Sequence, residues 1–251
     1  MKSNLAKRLV TSALIAAFWI IVWYIAAFLV DSILLLPTPH DTLLALLDLI
    51  CTLEFYKVVL ATLLRVALSL FFGISTGVIL ALLSYRFPIL KKVLYPAISA
   101  IRAMPVASFI VLLWVLLDGD ALTVLVAFLM VMPIIWQNTL DGFSSIPIEL
   151  IEVADVFEFS LKRRFRVLIM PIISSYIFPA VITSVGLAWK AEIAAEIIAY
   201  TENSIGMHVN DAKFYPEMTP TVFAWTAVII AMSVLLEIVI RKLLRRFKNE
   251  P

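Results

Sequence analysis

The chain has 251 residues, of which 63% are hydrophobic and only 15% charged, and its formal net charge is +2. Its mean hydropathy is +1.05. A soluble globular domain is about 45–50% apolar, so the composition excludes a soluble enzyme or binding module and points to an all-α protein that crosses a membrane several times. A lone Cys51 excludes an intrachain disulfide and reads as a small hydrophobe. His40 and His208 have no companions at metal-ligand spacing. With six Gly and no Gly-Lys-Ser/Thr loop, the chain has no phosphate loop for ATP.

In chain order, Lys2, Lys7 and Arg8 precede an apolar run, Val10–Val30, that is too long for a signal peptide and reads as span 1. Asp31–Lys57 contains Pro37 and Pro39, and then Asp41 as the expected cap of a helix too short to cross, which should lie on the outer surface. Val58–Leu83 reads as span 2, with the pair Gly73 and Gly77 at the spacing that lets another helix approach closely. Arg86, Lys91 and Lys92 mark a loop. Val93–Leu117 reads as span 3, interrupted by Pro105, and Asp118–Asp120 as a tight turn. Ala121–Thr139 is span 4, with Pro133 inside it, and Pro171–Ala199 is span 5, with Pro179 inside it. Tyr200–Thr219 reads as a polar loop, Pro220–Ile240 as span 6 and Arg241–Pro251 as a basic tail. Each span approaches or exceeds the roughly 20 residues a bilayer requires. Trp19, Trp23, Trp114, Trp136, Trp189 and Trp225 fall near span ends, as an aromatic belt would place them.

With the N-terminus in the cytoplasm, fifteen of the twenty basic residues fall on cytoplasmic segments and two, Lys57 and Lys213, outside. Positive residues stay inside, so both termini and the long loop between spans 4 and 5 are expected in the cytoplasm. Arg65, Arg102 and Lys190 lie within spans. Each costs about 2.5–3.5 kcal/mol at the bilayer centre, so each should face protein, water or the interface.

The chain is organised around Glu152–Pro171. Apolar Ile148, Ile151, Ala154 and Phe157 recur every third residue, which predicts one helical face. Acidic Glu152, Asp155 and Glu158 come early and basic Lys162, Arg163, Arg164 and Arg166 late, as the helix dipole favours. Ser160 is the expected cap of a second short helix. An amphipathic helical pair on the cytoplasmic side of a membrane protein is a docking surface.

This segment resembles the cytoplasmic EAA loop of ABC-importer permeases, a Glu-Ala-Ala with a Gly further on and a Leu-Pro at the start of the next helix. Here these positions hold Glu152, Val153, Ala154, Glu158 and Met170-Pro171. Glu158 in place of Gly implies that the bend moves to Ser160 or that the first helix runs on. The segments Leu35–Leu47, Thr62–Leu83, Arg102–Val115 and Gly186–Ile198 resemble the nitrate, sulfonate and taurine group of these permeases, which includes thiamine-precursor and riboflavin importers.

The resemblance implies a type I importer permease: one domain of six transmembrane helices, with a first span and outer helix (residues 1–57), a five-helix core (58–240), a basic tail (241–251), and a coupling helix between spans 4 and 5. It implies a second permease subunit, identical or homologous, two cytoplasmic ATPases that bind the ATP and Mg, and an extracytoplasmic binding protein, in a bacterial inner membrane. It implies no cofactor in this chain, no catalysis by it and no nucleic-acid partner. The expected ATPase-coupling residues are Glu149, Glu152, Ala154, Asp155, Phe157 and Glu158, then Lys162, Arg163 and Arg164 for acidic groups of the ATPase or lipid headgroups, with Pro171 linking the helix to span 5. The basic cluster has a second reading, as a topology signal. Arg65, Arg102, Pro105, Lys190, Glu192 and Glu196 are the expected path or gate residues. Glu192 and Glu196 share a face one turn apart, and an equally open reading is that they pack against span 6 or a partner. Two other classes stay open: an ion-driven secondary transporter using Arg102, Lys190, Glu192 and Glu196, and a membrane enzyme, against which stands the lack of HExxH, GxSxG or clustered His and Asp.

Overall fold

The computed structural model describes residues 2–249, apart from the side chains of residues 2–9, 216, 245 and 247–249. The basic side chains Lys2, Lys7, Arg8, Arg245 and Lys248 therefore lie outside the description. The described residues form helices α1 (Lys2–Val30), α2 (Pro39–Ile50), α3 (Leu53–Arg86), α4 (Pro88–Ala103), α5 (Val106–Trp114), α6 (Gly119–Ser144), α7 (Ile148–Val156), α8 (Leu161–Arg164), α9 (Met170–Ala199), α10 (Ile205–Phe214) and α11 (Thr219–Asn249). A π-helical turn, Phe165–Ile169, joins α8 to α9, and a 3-10 turn, Pro216–Met218, precedes α11.

Among the described residues five stretches are long and apolar enough to cross a membrane: Val10–Val30, Leu53–Arg86, Gly119–Ser144, Leu161–Ala199 and Thr219–Leu244. The sixth expected span is not one helix. Pro88–Ala103 and Val106–Trp114 meet at 105°. Steric conflict with a proline ring drives the preceding residue out of the α region, and Met104, before Pro105, is extended at φ −77°, ψ 131°. At 1.5 Å per residue, α4 and α5 are about 24 and 14 Å long, so neither crosses alone.

The core is built on α6, which exposes no residue from Leu122 to Leu140 and packs between α3 and α9. The two glycines of α3 allow this. A Cβ on Gly73 would sit 2.6 Å from Val131 Cγ1, and one on Gly77 2.8 Å from Ile135 Cβ. Three of the tryptophans are core residues rather than belt residues. Trp136 donates its indole N–H to Ser84 Oγ at 3.0 Å, Trp189 donates to the Ile229 carbonyl at 3.1 Å, and Trp225 stacks on Phe55 and His208. Indoles bury well where the N–H finds a partner.

Local chemistry moves several expected boundaries. Thr38, not Asp41, caps α2; Asp41 sits at the third helical position and returns the bond, so the two form a capping box. Cys51 is exposed at the end of α2. Thr52 caps α3, which starts at Leu53, five residues ahead of the expected Val58. The polar stretch after span 5 folds into α10, capped by Ser204, and the basic tail continues α11 to Asn249.

Candidate functional site

Two sets of expected residues lie at opposite ends of α9. Pro171 and Glu196 are separated by 25 residues of helix, or about 38 Å.

At the first end, α7 closes in a Schellman motif. The Glu158 N–H donates to the Asp155 carbonyl at 3.0 Å and the Phe159 N–H to the Ala154 carbonyl at 2.9 Å, and Glu158 is left-handed at φ 50°. The bend is therefore at Glu158 itself, neither displaced to Ser160 nor removed. Glu158 holds the conformation that a glycine at this position holds at no steric cost. Ser160 caps α8 as expected, accepting from the Arg163 N–H. Asp155 pairs with Arg164 across the bend, and the Arg163 guanidinium lies 4.3 Å from the Phe159 ring centroid.

The three-residue apolar repeat is not a buried face. Ala154 alone is buried, at 1% exposure, while Ile148 and Phe157 are 65% and 69% exposed. Ala154 is thus an anchor rather than part of a docking surface. It lines, with Leu150, Val153, Phe159, Leu168 and Pro171, an apolar cleft of about 280 Å³ between α7 and the start of α9. Glu149, Glu152, Phe157, Glu158 and Lys162 face outward. Proline lacks a backbone N–H. Just ahead of Pro171 the chain takes a π-helical turn, in which the Met170 N–H reaches back to the Phe165 carbonyl.

At the other end, Arg65 of α3 is the hub. Its Nε and NH2 groups reach Asp120 Oδ1 at 2.8 and 2.7 Å, and its NH1 reaches Glu196 Oε1 at 3.1 Å. Its remaining N–H groups hold the carbonyls of Glu202 and Asn203 at 3.0 and 3.3 Å. Glu196 also accepts from Thr62 Oγ1 at 2.7 Å and from the Gly206 N–H at 3.1 Å. Breaking such a pair strands a buried charge, at a cost of about 3–5 kcal/mol. Glu192 is equally buried, beside Thr123, and is in no ion pair among the described residues. Arg65, Glu192 and Glu196 therefore belong to the protein core, tying α3, α6, α9 and the loop before α10 together. The sequence held one clue to this: an arginine within a span, with Thr62 three residues before it on the same face, needs a polar partner or water. Arg102, Pro105 and Lys190 are exposed instead, and lie apart from this network.

Residues 73–249, most of the chain, match the family described as Binding-protein-dependent transport system inner membrane component. The chain belongs to this family. It is a permease of the ABC-importer kind, and such permeases work with ATPase and substrate-binding-protein partners. The chain is 26% identical over 242 residues, 96% of its length and 86% of the relative's, to the putative aliphatic sulfonates transport permease protein SsuC of Bacillus subtilis (strain 168). It is 28% identical over 246 residues, 94% of its length and 86% of the relative's, to the taurine transport system permease protein TauC of Escherichia coli (strain K12). The bicarbonate transport system permease protein CmpB of Synechocystis sp. (strain ATCC 27184 / PCC 6803 / Kazusa) is 34% identical over 158 residues, 61% of this chain and about half, 55%, of that protein.

Proposed function

We propose that the chain is one permease domain which pairs with a second copy or close homologue to form a solute path across a bacterial inner membrane, with both termini cytoplasmic. Two cytoplasmic ATPases bind the ATP and Mg, and a binding protein delivers the solute from outside. The chain itself performs no catalysis. The relatives are named for aliphatic sulfonates, taurine and bicarbonate, which makes a small anion the solute class we infer.

The observation that carries this reading is α7. A two-turn helix anchored by one buried alanine, with its acidic residues and Phe157 exposed, has little reason to stand off the bundle unless a partner covers it. Aromatic side chains are enriched at the cores of protein interfaces, and Phe157, 69% exposed, is such a side chain left open for a partner to bury. Glu149, Glu152, Phe157 and Glu158 form the knob; Ala154 and the Asp155–Arg164 pair fix its angle to α9. ATP-driven closure of the ATPases then moves α7, and α9 transmits the displacement towards the Arg65 network as a two-state change.

The test is charge reversal. Glu152→Lys is exposed and leaves the fold intact, so the variant should insert and dimerise as the native chain does. Uptake should fall at least about tenfold, the equivalent of about 1.4 kcal/mol of lost docking energy, and the co-purifying ATPase should be lost. Native uptake with the ATPase retained removes the docking role. Solute uptake by the purified chain without any ATPase would instead favour an ion-driven transporter.

A further inference from the structure

The exposed faces of the spans are of two kinds. α3 exposes Leu60, Leu64, Leu68, Phe71, Phe72 and Ile79, and α11 exposes Ile230, Val234, Leu235 and Ile238, as hydrocarbon-facing helices do. α9 exposes Ser175, Pro179, Thr183 and Lys190 on one stripe, bordered by exposed Tyr176 and Leu187, and a Cβ on Gly186 would have no neighbour within 4 Å. The broken span exposes Ser99, Arg102, Pro105 and Ser108 around its bend. α5 packs against α9, so the two elements that carry polar surface are neighbours.

The charges are sorted as well. Within α9 the carboxylates Glu192 and Glu196 are wholly buried, whereas Lys190 is exposed, as is Arg102 near the bend. Among the described residues neither cation is in an ion pair. Lys190 lies six residues, about 9 Å along α9, from Glu196, and Arg102 lies two residues before the bend at Met104. A charge within a membrane-spanning segment faces protein, water or a ligand rather than lipid. Water-filled cavities lined by one sign of charge concentrate the opposite ion.

We propose that the α9 stripe and the bend at Met104-Pro105 form the wall of the solute path, and that Arg102 and Lys190 bind the anionic head, a sulfonate or carboxylate-type oxyanion, of the passing solute. This rests on the permease reading above. It assigns the solute's charge to two residues that no ion pair among the described residues explains.

The test uses the full chain in its native membrane complex, with Cys51→Ser as background and single cysteines at Thr183→Cys or Ser108→Cys. The controls are Leu64→Cys and Phe71→Cys. Right-side-out and inverted vesicles are treated with two methanethiosulfonates, one bearing a sulfonate and one a trimethylammonium group, each normalised to its rate with a free thiol. The two path thiols should react at least about tenfold faster than the controls. They should also prefer the sulfonate reagent, by a ratio that falls about fivefold or more in the Arg102→Gln, Lys190→Gln double variant, as one or two charges within reach of the thiol require. Path thiols no faster than the controls would overturn the wall. Fast labelling without charge preference, or a preference indifferent to the two glutamines, would overturn the anion site. Co-purification of an ATPase from the same membranes reports separately on the permease reading. Ser175→Cys replaces any thiol variant that does not assemble.

Discussion

Gly206 is where α10 lies against α9, and Gly206→Ala is the most direct probe of the Arg65 network. A Cβ there would fall 2.3 Å from Glu196 Cβ, 2.5 Å from the Ile197 nitrogen and 2.6 Å from the Glu196 carbonyl carbon. Backbone cannot rotate out of the way, so α10 must retreat by about 1 Å to restore ordinary contact. The retreat lengthens the 3.1 Å bond from the Gly206 N–H to Glu196 and the 3.2 Å bond from the Ile205 N–H to Thr62 Oγ1. It also draws the Glu202 and Asn203 carbonyls off Arg65. Overpacking costs about 1–3 kcal/mol, and buried polar groups left short of a partner cost about 1–3 kcal/mol, so the expected loss is about 2–6 kcal/mol. Denaturant unfolding of the detergent-solubilised chain measures it. Gly186→Ala is the internal control, because its Cβ meets open space and alanine gains about 0.5–1 kcal/mol over glycine inside a helix. If Gly206→Ala unfolds within about 1 kcal/mol of the native chain, the ordinary cost of a single substitution, the contact does not govern stability and the reasoning is wrong.

Glu158→Gly should firm up the end of α7. The left-handed residue costs about 1–2 kcal/mol and glycine returns about 0.4–1 kcal/mol through the unfolded chain, so slower amide exchange at Phe157–Phe159, by about threefold to fivefold, is expected; unchanged exchange would mean that Glu158 carries no strain. Gly77→Val should lose about 1–3 kcal/mol by forcing α3 off Ile135, read as a lower unfolding midpoint, and a native midpoint would show that the helices are not held that close. Arg65→Met should lose about 3–5 kcal/mol by leaving Glu196 buried without its cation. Adding Glu196→Gln should recover part of that loss, and a double-mutant cycle with no coupling would show that the two do not interact.

Sequence alone determined the class and the outline. Hydropathy over some twenty residues depends on nothing beyond the residues themselves, so five spans lie where the composition requires a bilayer. The segment Glu152–Pro171 was legible for the same reason: the acidic-then-basic order, the Ser160 cap and the Met170-Pro171 end are local signals. Tertiary structure decided everything that depends on which surface a side chain meets. The left-handed Glu158 contradicts its own propensity and persists because two backbone bonds and the cleft under Ala154 hold it. The 105° break at Pro105 was visible as a proline but not as an angle, which packing against α6 and α9 sets. Trp136, Trp189 and Trp225 are spaced like belt residues, yet Ser84, the Ile229 carbonyl and the stack of Phe55 and His208 draw them into the core. Glu196 and Arg65 are 131 residues apart in the chain and one hydrogen bond apart in space. Charge burial is non-local: an intramembrane charge announces that it needs a partner or water, and only the packed helices show that Arg65 has the first, while Arg102 and Lys190 are left on the open surface.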